Sequence, residues 1–200
     1  MMNWVKSVTL QGKHVRLEPM TEAHVPGLAQ IGIGQSFWDF MLYGNIQTEA
    51  DMRNWVLDIL GRAEKGTDLP FVAIHLASGR VAGATRYLNI MPKDRGLEIG
   101  GTWYGADFQR TPVNTECKYL LLSHAFETLK CIRVQLKTDK RNERSQKAIE
   151  RLGAKKEGIL RNHMILPDGR FRDTVFYSIL DTEWADVKKN LEETMAKYEK

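Results

Sequence analysis

The order of apolar segments predicts an α/β chain, of the α+β kind, built on one mixed sheet of about seven strands. Three observations carry this. Leu97–Lys130 reads as a strand, a tight loop and a strongly marked helix. Phe71–Leu76 and Val81–Tyr87 are apolar runs joined by Ala77-Ser78-Gly79-Arg80, a hairpin connection containing glycine. Glu157–Leu166 and Arg172–Leu180 close around Pro167-Asp168-Gly169 as a second hairpin.

In order along the chain, Thr9–Glu18 alternates around Val15 and Leu17 and is expected as a first strand, with a turn at Gly12-Lys13 and a stop at Pro19. Thr21–His24 opens a short helix carrying Val25, Leu28 and Ile31, where Pro26 is tolerated only in the first turn. Gly32-Ile33-Gly34 ends it. Phe37–Tyr43 is a dense aromatic cluster, read either as core or as the lining of a substrate cleft. Thr48-Glu49-Ala50-Asp51 starts a second helix in capping-box fashion, with Met52, Trp55, Val56, Ile59, Leu60 and Ala63 as its buried stripe. The two hairpin strands follow Pro70, and then Leu97–Tyr104. After the central helix, Ile132–Lys137 alternates with period two. Asn142–Leu152 is a helix stopped by Gly153. The final hairpin leads into a polar terminal helix from Thr182 carrying Trp184, Val187 and Leu191. No repeat or linker interrupts the chain, so a single domain is expected over 1–200, with a core of about 8–181 and a helical tail at 182–200.

Composition narrows the class. At 200 residues, 42% hydrophobic and 27% charged, the chain is that of a globular protein. No stretch approaches the roughly 20 apolar residues of a membrane span. Met-Met-Asn-Trp-Val-Lys carries no signal-peptide pattern, so a cytoplasmic location is expected. Cys117 and Cys131 lack metal-ligand spacing and suit buried thiols, and the histidines are scattered, so no metal site is expected. A net charge of +4 permits anionic ligands without arguing for nucleic acid. Aromatics are not interleaved with the basic cluster, which speaks against RNA stacking.

The central stretch holds the first candidate site. Thr111 is a good N-cap, and Pro112 falls at the first helical position, where its missing N–H costs nothing. Val113, Cys117, Leu120, Leu121 and Ala125 follow at helical spacing, and Glu116, Ser123, Glu127 and Lys130 are read as the polar stripe. Unpaired N–H groups and the macrodipole, with Arg110 beside them, make this helix start an anion site. The plainer alternative is a well-capped core helix. The second site is Thr138–Ser145. Asn142 is the N-cap, and Ser145 shares the inward face with Ala148, Ile149 and Leu152. Its hydroxyl either closes a local bond at the helix end or faces a ligand's leaving atom. Lys137, Lys140, Arg141, Arg144 and Lys147 form either a solvated face or a second phosphate grip.

Taken together, Glu98-Ile99-Gly100 with Trp103, the loop Arg110–Asn114, Asn142-Glu143-Arg144-Ser145 with Leu152-Gly153-Ala154, Glu157-Gly158 with Leu160-Arg161, and Asp168-Gly169 with Arg172-Asp173 form an ordered set. With it, nearly the whole chain resembles the GCN5-related N-acetyltransferases (GNAT), in the RimJ/RimL-like branch. The resemblance implies a mostly antiparallel sheet with helices on both faces and the fourth and fifth strands splayed. It implies acetyl-CoA as cosubstrate, entering the V between them. Backbone at Gln109, Arg110, Thr111, Val113, Asn114 and Thr115 would take the diphosphate. The strand at Trp103 and Tyr104 would pair with the pantetheine arm, Asn142 and Arg144 would contact the cofactor, and Ser145 would lie near the sulfur. The family's loop carries small residues where Pro112 and Asn114 stand here, so one phosphate contact must come from elsewhere. The family's tyrosine acid would fall near Ala154 and is absent, which favours Ser145.

The implied activity is an acetyl-CoA-dependent N-acetyltransferase acting on a small amine or a protein N-terminus, with a homodimer as a common assembly. The alternative is a catalytically silent domain that binds CoA as a sensor. Acyl transfer needs a base for the amine. Glu98, a carboxylate in a cleft-lining strand, is the candidate, and a cross-strand pair is its structural alternative. Strand N–H groups near Trp103 and Tyr104 suit an oxyanion. Ser145 would donate to the departing sulfur. Phe37, Trp38, Tyr43 and His163, with Asp173, are weaker candidates for the acceptor's walls.

Overall fold

The computed structural model describes residues 4–199; the first three residues of the N-terminal stretch and the last of the tail lie outside them. In chain order the elements are β1 (Leu10–Gln11), β2 (Val15–Pro19), α1 (Val25–Gly32), α2 (Glu49–Glu64), β3 (Leu69–His75), β4 (Val81–Met91), β5 (Gly96–Tyr104), α3 (Pro112–Ser123), β6 (Arg133–Asp139), α4 (Glu143–Arg151), β7 (Lys155–Ile165), β8 (Phe171–Leu180) and α5 (Trp184–Ala196). The strands form one sheet in the order β1-β2-β3-β4-β5-β6-β8-β7. Neighbours are antiparallel except β5 and β6, which run parallel.

One strand more than expected arises at the N-terminus. Thr9–Glu18 does not run straight. Gly12 donates to Val15 O at 2.9 Å, and the chain folds back so that Leu10 pairs with Leu17. The Glu116 carboxylate holds this turn by accepting the N–H groups of Lys13, His14 and Val15. Glu116 is therefore buried and does not belong to a polar stripe on α3.

Two cores flank the sheet. On one face α1 and α2 pack Val25, Leu28, Met52, Val56 and Ile59 against Val72, Ile74, Ala84 and Trp103. On the other, α3, α4 and α5 cover Val15, Leu17, Phe71, Tyr87, Leu97 and Ile99. The tail helix α5 buries Trp184, Val187 and Leu191, each burial contributing about 1.5–3 kcal/mol, and Trp184 stacks on Phe126. Local signals set the helix starts. Thr48 and Asp51 form the reciprocal cap of α2, with Asp51 N donating to Thr48 Oγ1 and Thr48 N to Asp51 Oδ2. Among the described residues, no helix is long and apolar enough to cross a membrane.

Candidate active site

The sheet opens where β5 meets β6. These strands pair only through Gly96–Glu98 and Arg133–Gln135; beyond, β5 continues to Tyr104 and β6 to Asp139 without a ladder between them. Among the described residues, the edge of β5 from Ile99 onward therefore has no strand on this side. The register against β4 slips between Ala84 and Arg86, and Gly101 sits in the bulge at φ +57°. The bulge changes which way side chains point. Trp103 enters the core under α1 and α2, stacked on Phe37 with ring centroids 5.3 Å apart, while Tyr104 joins the opposite core. At Trp103, predicted to bind cofactor, only the backbone faces the slot; its indole is 3% exposed.

The loop after β5 and the start of α3 flank one side of the slot. Arg110 is exposed and held at φ +61°, a strained conformation for a side-chain-bearing residue. Thr111 Oγ1 donates to Phe108 O at 2.7 Å and accepts from Val113 N over a long 3.4 Å. Pro112 lacks an N–H and Val113 N is shared with the Thr111 cap, so Asn114 N is the helix-end donor with no side-chain cap. Val113 and Thr115 side chains are buried, so they offer a ligand only backbone. On the other side Asn142 caps α4, its Oδ1 accepting from Ser145 N at 3.0 Å. Its side-chain oxygen is thereby committed. Ser145 is half-buried, and its hydroxyl has no hydrogen-bond partner among the described residues. Gln109 spans the opening: Nε2 donates to Tyr104 O at 3.0 Å, and Oε1 accepts from Arg144 Nη2 at 2.8 Å. Two residues implied as cofactor contacts, Gln109 through its backbone, are thus joined through their side chains here.

Glu98 stands at the last paired rung and is 1% exposed. Its Oε2 lies 3.1 Å from Lys137 Nζ and accepts from Asn89 Nδ2 at 2.8 Å and Gln135 Nε2 at 3.0 Å. The cross-strand pair is therefore formed. Asn89 reaches it from a bulge of β4 at φ +49°. Lys137 Nζ also lies 6.0 Å from the centroid of Phe176. His163, on β7, packs edge-on against that ring.

The walls expected for the acceptor do meet. Arg170 donates to Asp39 O at 3.2 Å, and Arg172 to Phe40 O at 3.1 Å, tying β8 and its turn to the aromatic segment. Tyr43 OH accepts from Arg86 Nη2 at 2.7 Å. Phe37 and Tyr43 are half-buried. Trp38 is a correction to the substrate set: it is 1% exposed, its indole N–H donates to Gly32 O, and it has no surface to offer an acceptor. Asp173, on β8, accepts from Asn162 N and lies 3.6 Å from Lys140 Nζ.

Sequence reasoning missed Lys118. Burial pushes its ammonium down to about 8, with the neighbouring Cys117 opposing. It donates to Thr102 Oγ1 at 2.7 Å, which in turn meets Thr85 Oγ1 at 2.8 Å. Burial likewise raises the Cys117 thiol to about 12. No spacing signal marks Lys118, because its partner comes from a strand 16 residues earlier. Lys137 had a signal: period two places it on the face of Gln135 and away from Val134 and Leu136.

Comparisons with known proteins follow this geometry. The family model "Acetyltransferase (GNAT) domain" matches residues 14–155. A solved structure from T. thermophilus, described as a "putative acetyltransferase", is 40% identical, with 96% of this chain and 98% of that chain covered and a TM-score of 0.87. A GCN5-related N-acetyltransferase from Brucella melitensis is 29% identical, with 96% and 86% covered and a TM-score of 0.88. The Bacillus subtilis (strain 168) protein named "Putative ribosomal N-acetyltransferase YdaF" is 32% identical over 113 residues, which span 56% of this chain and 61% of that relative.

Proposed function

The chain belongs to the GNAT acetyltransferase family, and we propose that it moves an acetyl group from acetyl-CoA directly to a primary amine. One observation carries this: β5 and β6 share three rungs and then part, with the starts of α3 and α4 on either side of the opening. A slot between parted strands offers an unpaired strand edge to an extended amide-bearing arm. The two helix starts offer positive dipole ends to its diphosphate. The fit is imperfect at Pro112, which removes one donor, and Arg110 and Arg144 supply charge in its place. Arg144 must leave Gln109 to do so.

The roles follow from what transfer requires. Backbone N–H groups of the β5 edge near Trp103 and Tyr104 stabilise the oxyanion that forms on the thioester carbonyl. Ser145, with its free hydroxyl at the start of α4, hands a proton to the departing sulfur. Glu98, the buried carboxylate at the parting point, has its Oε2 already engaged by Lys137, Asn89 and Gln135, and so ties β4, β5 and β6 together where the slot begins. The acceptor enters from the side walled by Phe37, Tyr43 and the β7–β8 hairpin. A protein N-terminus is one acceptor class and a small amine is the other; the name of the Bacillus subtilis relative, a putative ribosomal N-acetyltransferase, supports a ribosomal acceptor.

The test is a thermal-shift titration with acetyl-CoA, followed by a thiol-release assay across small amines and short peptides with free N-termini. Stabilisation by acetyl-CoA together with amine-dependent thiol release is the expected result. Tight binding without turnover on every acceptor overturns the reading in favour of a CoA sensor, the alternative that Pro112 motivates.

A further inference from the structure

The final hairpin carries an irregularity that the roles above do not use. β7 and β8 pair Leu160 with Thr174 and Met164 with Arg172, so Arg161, Asn162 and His163 stand opposite Asp173 alone. Asn162, in their middle, has φ +48°. Its N–H donates to Asp173 Oδ1 at 2.9 Å, which holds the bulge shut. Bulges re-aim side chains, and they recur beside active sites. The residue re-aimed here is His163. Its ring meets Phe176 edge-on, with centroids 5.4 Å apart and planes at 67°. Its Nδ1 is buried and has no hydrogen-bond partner among the described residues. An unmatched buried polar atom costs roughly 1–3 kcal/mol. Strain held at such a cost motivates a functional hypothesis.

The same Phe176 ring has Lys137 near its centroid, and Lys137 reaches Glu98. His163, Phe176, Lys137 and Glu98 therefore form a row through β7, β8, β6 and β5, ending at the rung where the slot begins. We infer that His163 is the group that takes the proton from the incoming amine; this rests on the acyl-transfer reading. The ammonium gives one proton to the unprotonated nitrogen of the imidazole through water, because Phe176 and Lys137 stand between the ring and the Glu98 rung. The freed lone pair forms the C–N bond at the thioester carbonyl carbon. As the oxyanion collapses, the C–S bond breaks. The second proton from nitrogen ends on sulfur by way of the Ser145 hydroxyl, and His163 releases its proton to solvent. The balance is one amide, one thiol and one proton.

The imidazole is suited to this. Burial holds its pKa below the ordinary 6.5, and Lys137 on β6 and Arg172 on β8 add to that, while Glu98 on β5 opposes. It is thus neutral and able to accept a proton at pH 7.

The experiment compares the unmodified chain with His163→Gln and His163→Ala in the thiol-release assay, with the acetyl-CoA thermal shift as the control for folding and binding. His163→Gln is expected to lower kcat/KM about 100-fold or more while leaving the acetyl-CoA shift in place. The acid limb of the pH profile, inflecting below 6.5 in the unmodified chain, is expected to vanish, and added imidazole to restore part of the His163→Ala rate. Activity of His163→Gln within about threefold of the unmodified chain overturns the inference, as does a loss that keeps the acid limb and resists imidazole. The profile of the unmodified chain is read whether or not the variants fold: absence of a limb below 6.5 overturns the inference by itself. No turnover of any amine by the unmodified chain overturns the transfer reading and takes this inference with it. That outcome is distinct, because it is seen before any variant is made.

Discussion

Glu116→Ala tests how the first turns of α3 are fastened to the sheet. Glu116 is 4% exposed, and its carboxylate accepts from Lys13 N at 2.8 Å and from His14 N and Val15 N at 2.7 Å. Hydrogen bonds to a charged group contribute roughly 1.5–3 kcal/mol each. Three that share one acceptor do not add in full, and the partly buried donors of Lys13 and His14 regain water when the carboxylate goes. Val15 is fully buried, so its N–H is left unmatched. We expect a loss of about 3–4 kcal/mol. For a chain of this length that is a fall in Tm of roughly 6–15 °C. Gly12→Ala attacks the same contact from the other side, because its Cβ would stand 2.4 Å from Glu116 Cδ. A free carboxylate would swing away cheaply, but this one is tied by three donors. The cost of Gly12→Ala should therefore disappear in the Glu116→Ala background. Thermal melts of the two single variants and the double variant decide it. A fall below about 2 °C for Glu116→Ala, or fully additive effects in the double variant, refutes the reasoning.

Three further outcomes follow from the site. Ser145→Ala should lower kcat more than it raises KM in the thiol-release assay, and an unchanged rate removes Ser145 from the mechanism. Thr111→Ala removes a cap whose bond to Val113 N is already long at 3.4 Å, so the stability cost should lie near the low end for caps, about 0.5–1 kcal/mol. The acetyl-CoA thermal shift should shrink in the same variant; an undiminished shift shows that the cap does not set the loop for binding. Lys118 titrates near 8 in the folded chain against about 10.5 when unfolded. Between those values the unfolded chain binds the extra proton, so stability rises with pH there. The difference in unfolding free energy between the unmodified chain and Lys118→Met should grow by up to about 3 kcal/mol from pH 8 to 10.5. A flat difference in denaturant titrations across that range contradicts the buried ammonium.

What the sequence made legible was local. Thr111-Pro112, Thr48 with Asp51, Asn142 and Gly153 declare helix ends through bonds made within a few residues, and each stands where it was expected. Hidden were contacts between residues far apart in the chain. Helical spacing on α3 assigns Glu116 to a face, but cannot show that a turn about 100 residues earlier needs its carboxylate. Strand alternation misleads in a different way. Counted from Leu97 and Ile99, Trp103 belongs on their face, yet the bulge at Gly101 sends it to the other core and gives Tyr104 its place. The pair Gly100-Gly101 was the available signal, since glycine inside a strand marks a bulge.

The same irregularity recurs on β4, β5 and β7. Gly101 on β5, Asn89 on β4 and Asn162 on β7 all have positive φ, and each lies at a slip of register. Each slip aims a group that a straight ladder would turn elsewhere: the β5 edge past Gly101, the Asn89 amide on Glu98, the His163 ring on Phe176. Regular pairing would satisfy these backbones more cheaply, but it would turn these groups to the other face of their strands. A substitution that straightens one bulge should therefore stabilise the sheet locally while taking away the contact its group makes. Asn162 is the sharpest case, because Asp173 pins its N–H and, among the described residues, no other side chain bonds to the bulge. Asp173→Ala should thus cost little in Tm, since its carboxylate is on the surface, and much in turnover, as His163 loses its aim. Comparable losses in both would mean that the bulge serves only the fold.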